Sequence, residues 1–288
     1  MILVTGAAGK TGRAVIRALG AKGEPVRAFV HRPQQVRVVK DLGVREPVLG
    51  DMCLQAVMND AARGVQAVYH IPPNMSPDEV AIGQTIIRAA RSAGVDRFVY
   101  HSVLHPQTEA MPHHWQKLRV EERLFESGLP FTILQPAAYM QNVLAHWDQI
   151  VEVGLYPVPY AAETRLGMVD LEDVAAAAAI VLTEPGHLGA TYELAGPETL
   201  SQLEVVAVLA QQLGRPVRAK VLSRNVWERQ ARASGLGDYQ LETLGRMFRY
   251  YEHYGFWGNP RVLGWLLGRD PTSFAAFVAR TARERSET

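Results

Sequence analysis

Short apolar, β-branched runs alternate with helix-like segments over the first half of the chain. The runs predicted as strands are residues 2–5, 26–30, 46–49, 67–71, 97–101 and 131–134. Between them apolar residues recur with a period near 3.6, which predicts amphipathic helices, and several of these segments stop at a glycine. Strands separated by helices require crossover connections. The pattern therefore predicts an α/β fold with a Rossmann-type, doubly wound parallel sheet.

The alternation loosens after about residue 150. Strand-like segments at 165–169, 190–194 and 217–222 mix with predicted helices at 171–182, 201–213 and 271–285. We therefore expect an NAD(P)-binding domain over residues 1–153 and a smaller, mixed α/β substrate-binding domain over residues 154–288. Segments near 164–196 are expected to dock back on the first domain. The aromatic stretch 227–265 is expected to be mostly core, with a cavity lining or a dimer surface as alternatives.

The charge, the apolar runs and the cysteine count of the chain limit the binding partners and the cellular location that we expect. Thirty basic and 29 acidic side chains give a formal net charge of +1, which argues against nucleic acid or an anionic membrane as the main partner. No apolar run approaches a membrane span, and the apolar start is too short for a signal sequence. One cysteine, Cys53, excludes an intramolecular disulfide framework. A cytoplasmic protein is expected, and a homodimer is left open.

A glycine-rich stretch, GAAGKTG at residues 6–12, follows the first predicted strand. Its Gly-Lys-Thr end resembles a P-loop, but a P-loop needs a glycine where this chain has Val4. The spacing of Gly6, Gly9 and Gly12 instead fits a dinucleotide-binding turn, in which backbone N–H groups and a helix N-terminus approach a pyrophosphate. Lys10 and Thr11 add a charge and a hydroxyl group at the same place.

The end of the second predicted strand indicates which dinucleotide is bound. An NAD-preferring site places Asp or Glu there to accept a hydrogen bond from the adenosine ribose. This chain has His31-Arg32-Pro33 instead. A guanidinium group can pair with a 2′-phosphate, so Arg32 favours NADP (NADPH) over NAD. The alternative is that Arg32 only caps a solvated strand end.

Taken together, these segments resemble the NmrA-like family of atypical short-chain dehydrogenases/reductases. The motifs that carry the resemblance are VTGAAGKTG at 4–12, AFVHR at 28–32, LGD at 49–51, RFVYHSVLH at 97–105, HHWQK at 113–117, SGLPFTILQPAAYMQN at 127–142, VDLEDVA at 169–175, YELAGPE at 192–198 and LLGRDPTSFAAFV at 266–278. The family includes NADPH-dependent reductases of quinones, dyes and benzylic ethers, and also redox-sensing regulators that bind the dinucleotide without turnover.

The resemblance implies a role for each matching residue. The pyrophosphate would be held by Gly6, Gly9, Lys10, Thr11 and Gly12, and the 2′-phosphate by Arg32. Asp51 and Met52 would flank the adenine, and Ile71 and Pro72 would line its ribose. Lys117 would bond the nicotinamide ribose or assist proton transfer. The border of the nicotinamide and the substrate would be formed by Pro136, Tyr139 and Asn142.

Two departures from the related enzymes bear on the chemistry. Conventional short-chain dehydrogenases carry a tyrosine proton donor four residues before the lysine, where this chain has His113. The strand that usually ends Leu-Arg-Pro reads Leu134-Gln135-Pro136, so any structural partner of that arginine must be satisfied otherwise. NmrA-like proteins often lack the tyrosine.

Several polar residues are candidates for catalysis. His113 is the best placed proton donor, although it could simply line a loop. Ser102 could polarise a substrate oxygen or cap a strand end. Lys117 could instead belong to a solvated, charged helix face. Four histidines, His101, His105, His113 and His114, lie close together in sequence, but their spacing does not favour metal ligands, and no metal is expected.

The leading hypothesis is an NADPH-dependent reductase that transfers hydride to a flat, apolar acceptor such as a quinone. Quinones carry their own electron sink, so a strong protein acid is not obligatory. The first alternative is a sensor of the dinucleotide that binds a protein partner according to redox state. The second is a sugar-nucleotide epimerase-like enzyme, which shares the fold but normally needs the tyrosine.

Overall fold

The computed structural model describes residues 1–286. Its strands are β1 (Ile2–Val4), β2 (Val26–Val30), β3 (Glu46–Leu49), β4 (Ala67–His70), β5 (Arg97–His101), β6 (Phe131–Pro136), β7 (Ala138–Tyr139), β8 (Leu155–Val158), β9 (Arg165–Val169), β10 (Ala190–Leu194), β11 (Thr199–Ser201) and β12 (Arg218–Val221). Its α-helices are α1 (Lys10–Ala21), α2 (Pro33–Lys40), α3 (Gln55–Ala62), α4 (Glu79–Ala93), α5 (Pro112–Phe125), α6 (Trp147–Val153), α7 (Leu171–Thr183), α8 (Gln202–Leu213), α9 (Arg224–Ala233), α10 (Asp238–Tyr254), α11 (Pro260–Leu267) and α12 (Phe274–Ser286). A 3₁₀ helix spans Met140–His146.

Seven strands form the main sheet, in the order β10-β6-β5-β4-β1-β2-β3. The pairings from β6 to β3 are all parallel. The chain winds outward from β1 in both directions, so the strand order reverses between β1 and β4. This confirms the predicted doubly wound sheet. In such sheets ligands bind at the carboxyl ends of the strands beside the point of reversal.

Both central strands of this sheet are buried, because helices cover the two faces. Every residue of β1 and of β4 is buried, which explains why these segments read as continuous apolar runs. The six strands predicted in the first half are all present, with ends that differ by at most two residues. The segment at 190–194 is also a strand, but it forms the edge of this sheet next to β6.

The chain separates into two compact units. The first comprises Met1–Glu109, His113–Gln135 and Val174–Tyr192, and the second Ala110–Pro112, Pro136–Asp173 and Glu193–Thr288. The second unit contains a mixed three-stranded sheet, β11-β9-β7, and a parallel pair, β12-β8. The division into domains of residues 1–153 and 154–288 stays a prediction.

Ion pairs inside the second unit explain two of the motifs seen in the sequence. The buried carboxylate of Asp173 accepts a hydrogen bond of 2.5 Å from Arg269 Nη2 and one of 2.6 Å from the Thr272 backbone N–H. Asp170 pairs with Arg280 of α12 at 2.7 Å. The motifs VDLEDVA and LLGRDPTSFAAFV therefore bind each other. Removing the partner of a buried carboxylate of this kind strongly destabilises the folded protein, because the remaining charge is buried without compensation.

The aromatic stretch of the second unit is only partly core. Tyr251 and Phe256 are buried and their rings stack, whereas Tyr254, Trp257 and Trp265 are exposed. Tyr251, Tyr254 and Trp257 line an open cavity of about 550 Å³ within this unit. Within residues 1–286, none of the helices has both the length and the apolar character needed to cross a bilayer.

Candidate functional site

The glycine loop begins with a left-handed turn at the end of β1. Gly6 has φ = 59°, a conformation that glycine adopts without strain. A Cβ atom at Gly6 would lie 3.0 Å from the Ile71 carbonyl oxygen, just beyond β4. The Thr5 hydroxyl oxygen accepts a hydrogen bond of 2.9 Å from the Ile71 N–H and lies 2.8 Å from His70 Nδ1. The ends of β1 and β4 are thus joined closely at the point of reversal.

Close backbone packing also governs the start of α1. A Cβ atom at Gly12 would lie 2.5 Å from the Gly6 oxygen and 2.6 Å from the Ala7 Cα and oxygen. Contacts this short with backbone atoms do not occur, so only glycine fits unless the helix moves. The helix follows Gly9 directly and has no acidic residue in its first turn. Its positive N-terminal end is therefore positioned to attract an anion at the loop.

Three further predicted segments lie at the carboxyl ends of strands in the same sheet. Arg32 follows β2, is exposed, and is held through its backbone N–H by Gln35 Oε1 at 3.0 Å. Asp51 and Met52 follow β3, and the Cys53 N–H donates to Asp51 Oδ1, which lowers the pKa of that carboxyl group. Ile71 and Pro72 follow β4.

Lys117 lies on α5 and faces the interior of the first unit. Its Nζ atom lies 2.7 Å from Glu79 Oε1 of α4, and the two side chains are 14% and 1% exposed. The Tyr100 hydroxyl, from β5, donates to the same oxygen at 3.1 Å. Lys117 is therefore not part of the solvated helix face that was the alternative to a site role. Tyr100 has a raised pKa, chiefly because it is buried.

Ser102 follows β5 and belongs to a second set of buried side chains that are joined by hydrogen bonds. Its hydroxyl donates to Glu121 Oε1 on α5, and Gln135 Nε2 lies 2.9 and 3.1 Å from the two oxygens of that carboxylate. Gln135 stands where the resemblance to the family predicts arginine, and its neutral amide bonds Glu121. Burial raises the pKa of Glu121, because a desolvated carboxylate favours its protonated form.

Four histidines of this region are buried. Burial lowers the pKa of His70, His101 and His114 to about 3 and that of His113 to about 2. His113 on α5 therefore offers a neutral N–H near neutral pH and not an imidazolium ion. The charge of Lys117 contributes to each of these shifts. Within residues 1–286 no three histidine, cysteine or acidic side chains are grouped as metal ligands.

The first unit thus brings the glycine loop, Arg32, Asp51, Ile71 and Ser102 to one edge of its sheet. Pro136, which ends β6, belongs to the second unit together with Tyr139 and Asn142, and the approach of these residues to the loop stays a prediction. The roles of all these residues likewise stay predictions.

Sequence reasoning missed the buried partners Thr5, Glu79, Tyr100 and Glu121. No spacing rule connects Glu79 with a lysine 38 residues away. The one available signal was Gln135, because any partner of the arginine expected there had to be satisfied otherwise. In the structure the amide of Gln135 bonds Glu121.

Comparison with known proteins agrees with this architecture. A model of the NmrA-like family matches residues 1–275. NAD(P)H azoreductase of Xenophilus azovorans is 29% identical over 280 residues, which cover 96% of each chain. Quinone oxidoreductase 2 of Escherichia coli K12 is 29% identical over 283 residues, covering 97% of this chain and 98% of that one.

A crystal structure of the NADPH-dependent quinone oxidoreductase of Escherichia coli, complexed with NADPH, superposes with a TM-score of 0.84 at 28% identity. The match covers 98% of this chain and 100% of that chain. The family match extends over nearly the whole sequence, and both the fold and the sequence motifs agree with it. The chain belongs to the NmrA-like family.

Proposed function

We propose that this protein is an NADPH-dependent reductase that delivers hydride to a flat, apolar acceptor such as a quinone. The observation that carries the proposal is the glycine loop, because a Cβ atom at Gly12 would lie 2.5 Å from the Gly6 oxygen. Such a close turn beneath a helix N-terminus is the geometry that pyrophosphate binding requires. The relatives named as quinone oxidoreductase and azoreductase support the reaction class.

The residues present fit a bound NADPH. The loop from Gly6 to Gly12, with Lys10 and Thr11, would hold the pyrophosphate, and the exposed Arg32 would pair with the 2′-phosphate. Asp51, Met52, Ile71 and Pro72 would line the adenosine half. Lys117 would bond the nicotinamide ribose, and Pro136, Tyr139 and Asn142 would border the nicotinamide and the acceptor.

When bound, the nicotinamide supplies a hydride ion, and the protein supplies orientation and a defined protonation state. Two of the predicted proton donors, His113 and Ser102, are not strong acids in this structure. His113 is neutral near neutral pH because burial lowers its pKa to about 2. The Ser102 hydroxyl donates to Glu121. A quinone suits this arrangement, because its reduced form keeps the added charge delocalised until solvent protonates it.

The proposal predicts catalytic oxidation of NADPH. Purified protein mixed with NADPH and a panel of quinones and azo dyes should consume NADPH with at least one acceptor, and faster than it consumes NADH. The loss of NADPH absorbance measures the rate. Isolated ketones, which need a protein acid, serve as the matched negative set.

Tight NADPH binding without oxidation by any acceptor would contradict the reductase. That outcome would favour the second candidate, a dinucleotide sensor with a protein partner. A homodimer and a cytoplasmic location stay predictions of this proposal, and gel filtration with light scattering measures the first of them.

Arg32→Ala tests the choice of dinucleotide. We expect NADPH binding to weaken by about 1.5–3 kcal/mol, because one charge-assisted contact to the 2′-phosphate is lost. NADH, which lacks that phosphate, should bind as it does to the wild type. Calorimetric titration with both dinucleotides measures the difference.

Arg37→Ala is the matched control for this experiment, since Arg37 is an exposed arginine on the same helix α2. It should bind both dinucleotides as the wild type does. An equal loss of NADPH and NADH affinity in Arg32→Ala would show that Arg32 does not recognise the phosphate.

A further inference from the structure

The ammonium group of Lys117 depends on one carboxylate. Its Nζ lies 2.7 Å from Glu79 Oε1, and Glu79 is 1% exposed. Among residues 1–286 the other oxygen, Oε2, is buried and has no hydrogen-bond partner. Removing either charge would leave its partner buried and uncompensated, which is far more costly than losing an exposed ion pair. The position and the protonation of Lys117 are therefore coupled to Glu79.

Tyr100 provides a second support for the same pair. Its hydroxyl donates to Glu79 Oε1 at 3.1 Å, and Lys117 Nζ lies 5.9 Å from the centre of its ring. That distance is within the range of a cation–π contact. The Tyr100 ring stacks on His70 with centroids 5.7 Å apart and planes 22° apart. The ring is thus fixed on β5, so Lys117 is held by two rigid elements.

Glu79 comes from the first residue of α4, a helix of 15 residues that begins after Asp78. A carboxylate in the first turn of a helix interacts favourably with the helix dipole. The backbone N–H of Glu79 is bonded to Ser76 O at 3.4 Å. Glu79 therefore reaches from the start of α4 to the lysine of α5.

We propose that Glu79 is a positioning residue of the reductase: it keeps Lys117 charged and oriented, and Tyr100 fixes Glu79 in turn. The proposal rests on the proposed function for the role of Lys117. Glu79 acts through Lys117 and is not assigned a contact with the cofactor. Without Glu79, a buried amine would be neutral more often and free to turn away.

The other groups near Lys117 do not replace Glu79. His70 of β4 and His101 of β5 face it, as do His113 and His114 of its own helix, and burial keeps all four neutral near neutral pH. The buried carboxyl group of Glu121, also on α5, is bonded by Ser102 and Gln135. Tyr100 is a neutral phenol whose pKa is raised by burial.

Glu79→Gln tests the proposal, because it keeps the size of the side chain and removes its charge. The first measurement uses free protein without cofactor. Acetylation of each lysine near pH 8 is followed by mass spectrometry of peptides, with the exposed Lys220 as internal reference. Relative to Lys220, Lys117 should be acetylated faster in Glu79→Gln than in the wild type, because only the neutral amine reacts.

The second measurement is the pH profile of NADPH oxidation. In Glu79→Gln we expect kcat/KM near neutral pH to fall by about 10- to 100-fold, as for a displaced binding group. As the pH rises from about 7 to about 9, kcat/KM of Glu79→Gln should fall by a larger factor than that of the wild type, because an uncompensated ammonium loses its proton more readily. A structural role alone would lower activity without this change of profile.

Tyr100→Phe keeps the proposal testable if Glu79→Gln fails to fold. It retains the ring and removes only the hydroxyl, so Lys117 acetylation should rise by less than in Glu79→Gln but above the wild type. The proposal would be overturned if, in the variant that folds, Lys117 is acetylated at the wild-type rate and the pH profile of kcat/KM is unchanged. The acetylation result does not require turnover, so it separates this failure from failure of the reductase itself.

Discussion

We expect the Gly12→Ala protein to bind NADPH at least about 100-fold more weakly than the wild type. The added Cβ would meet the Gly6 oxygen at 2.5 Å and the Ala7 backbone at 2.6 Å. None of these atoms belongs to a flexible side chain, so the start of α1 must move away from the loop. A displacement near 1 Å of groups that position a ligand reduces function by about this factor.

The same substitution strains the fold only locally. Overpacking of this kind costs about 1–3 kcal/mol, so thermal unfolding of Gly12→Ala should shift downward while the protein remains folded. Calorimetric titration with NADPH measures the loss of affinity, and circular dichroism measures the stability.

Gly20→Ala is the matched control. Gly20 lies on the same helix α1, and a Cβ atom there would meet nothing within 4 Å. Alanine favours the helical state over glycine by about 1 kcal/mol, so Gly20→Ala should keep wild-type affinity and gain stability. Wild-type NADPH affinity in Gly12→Ala would show that the loop does not hold the dinucleotide.

We expect acid to destabilise the protein steeply below about pH 6.5. Burial lowers the pKa of His70, His101 and His114 to about 3 and that of His113 to about 2, so all four stay neutral in the folded state. In the unfolded chain the same side chains take up protons below about pH 6.5. The contribution of these groups to stability is therefore complete above that pH and is lost as the pH falls toward 3.

The size of this loss follows from proton linkage. Between about pH 7.5 and about pH 5.5 each such histidine costs about 1.4 kcal/mol of unfolding free energy, so four cost about 5 kcal/mol. Glu121 acts in the opposite direction, because burial raises its pKa, but it is one group against four. The loss is comparable to the whole stability of many domains.

Urea unfolding followed by circular dichroism at several pH values measures the effect. His113→Gln should reduce the slope of stability against pH by about one proton, whatever it does to stability at high pH. The control is His253→Gln, since His253 is exposed on α10, and its slope should equal that of the wild type. A flat stability curve from pH 7.5 to 5.5 would show that these histidines take up protons in the folded state as readily as in the unfolded chain.

The sequence predicts the strands and helices of the sheet well, because the spacing of apolar residues and the glycines that end helices are local features. All three residues of β1 are buried and apolar, and the helix that follows starts directly after Gly9, one of the glycines that the spacing singled out. Sheet order is less local. The segment at 190–194 reads as a strand, yet only the structure shows that it extends the main sheet beside β6.

The candidate site can be predicted only where the functional residues lie together in one segment of the sequence. The glycine loop and Arg32 follow predicted strands, so the doubly wound fold places them at one edge. The pair of Lys117 and Glu79 joins two helices whose charges, read alone, are typical of solvated faces. The burial of two charged residues that are distant in sequence depends on how the helices pack, so it leaves no periodic pattern in the sequence. Gln135 is intermediate, because its departure from the expected arginine drew attention to this position without identifying Glu121.

We propose above that this chain holds NADPH in order to react with it. A single-turnover experiment, with protein in excess over NADPH and a quinone added in a stopped-flow instrument, tests this most directly. We expect complete loss of NADPH absorbance in one phase. The rate of this phase should be lower when the transferred hydrogen is deuterium, and much lower in Gly12→Ala. NADPH that is fully bound yet stays reduced with every acceptor would contradict it.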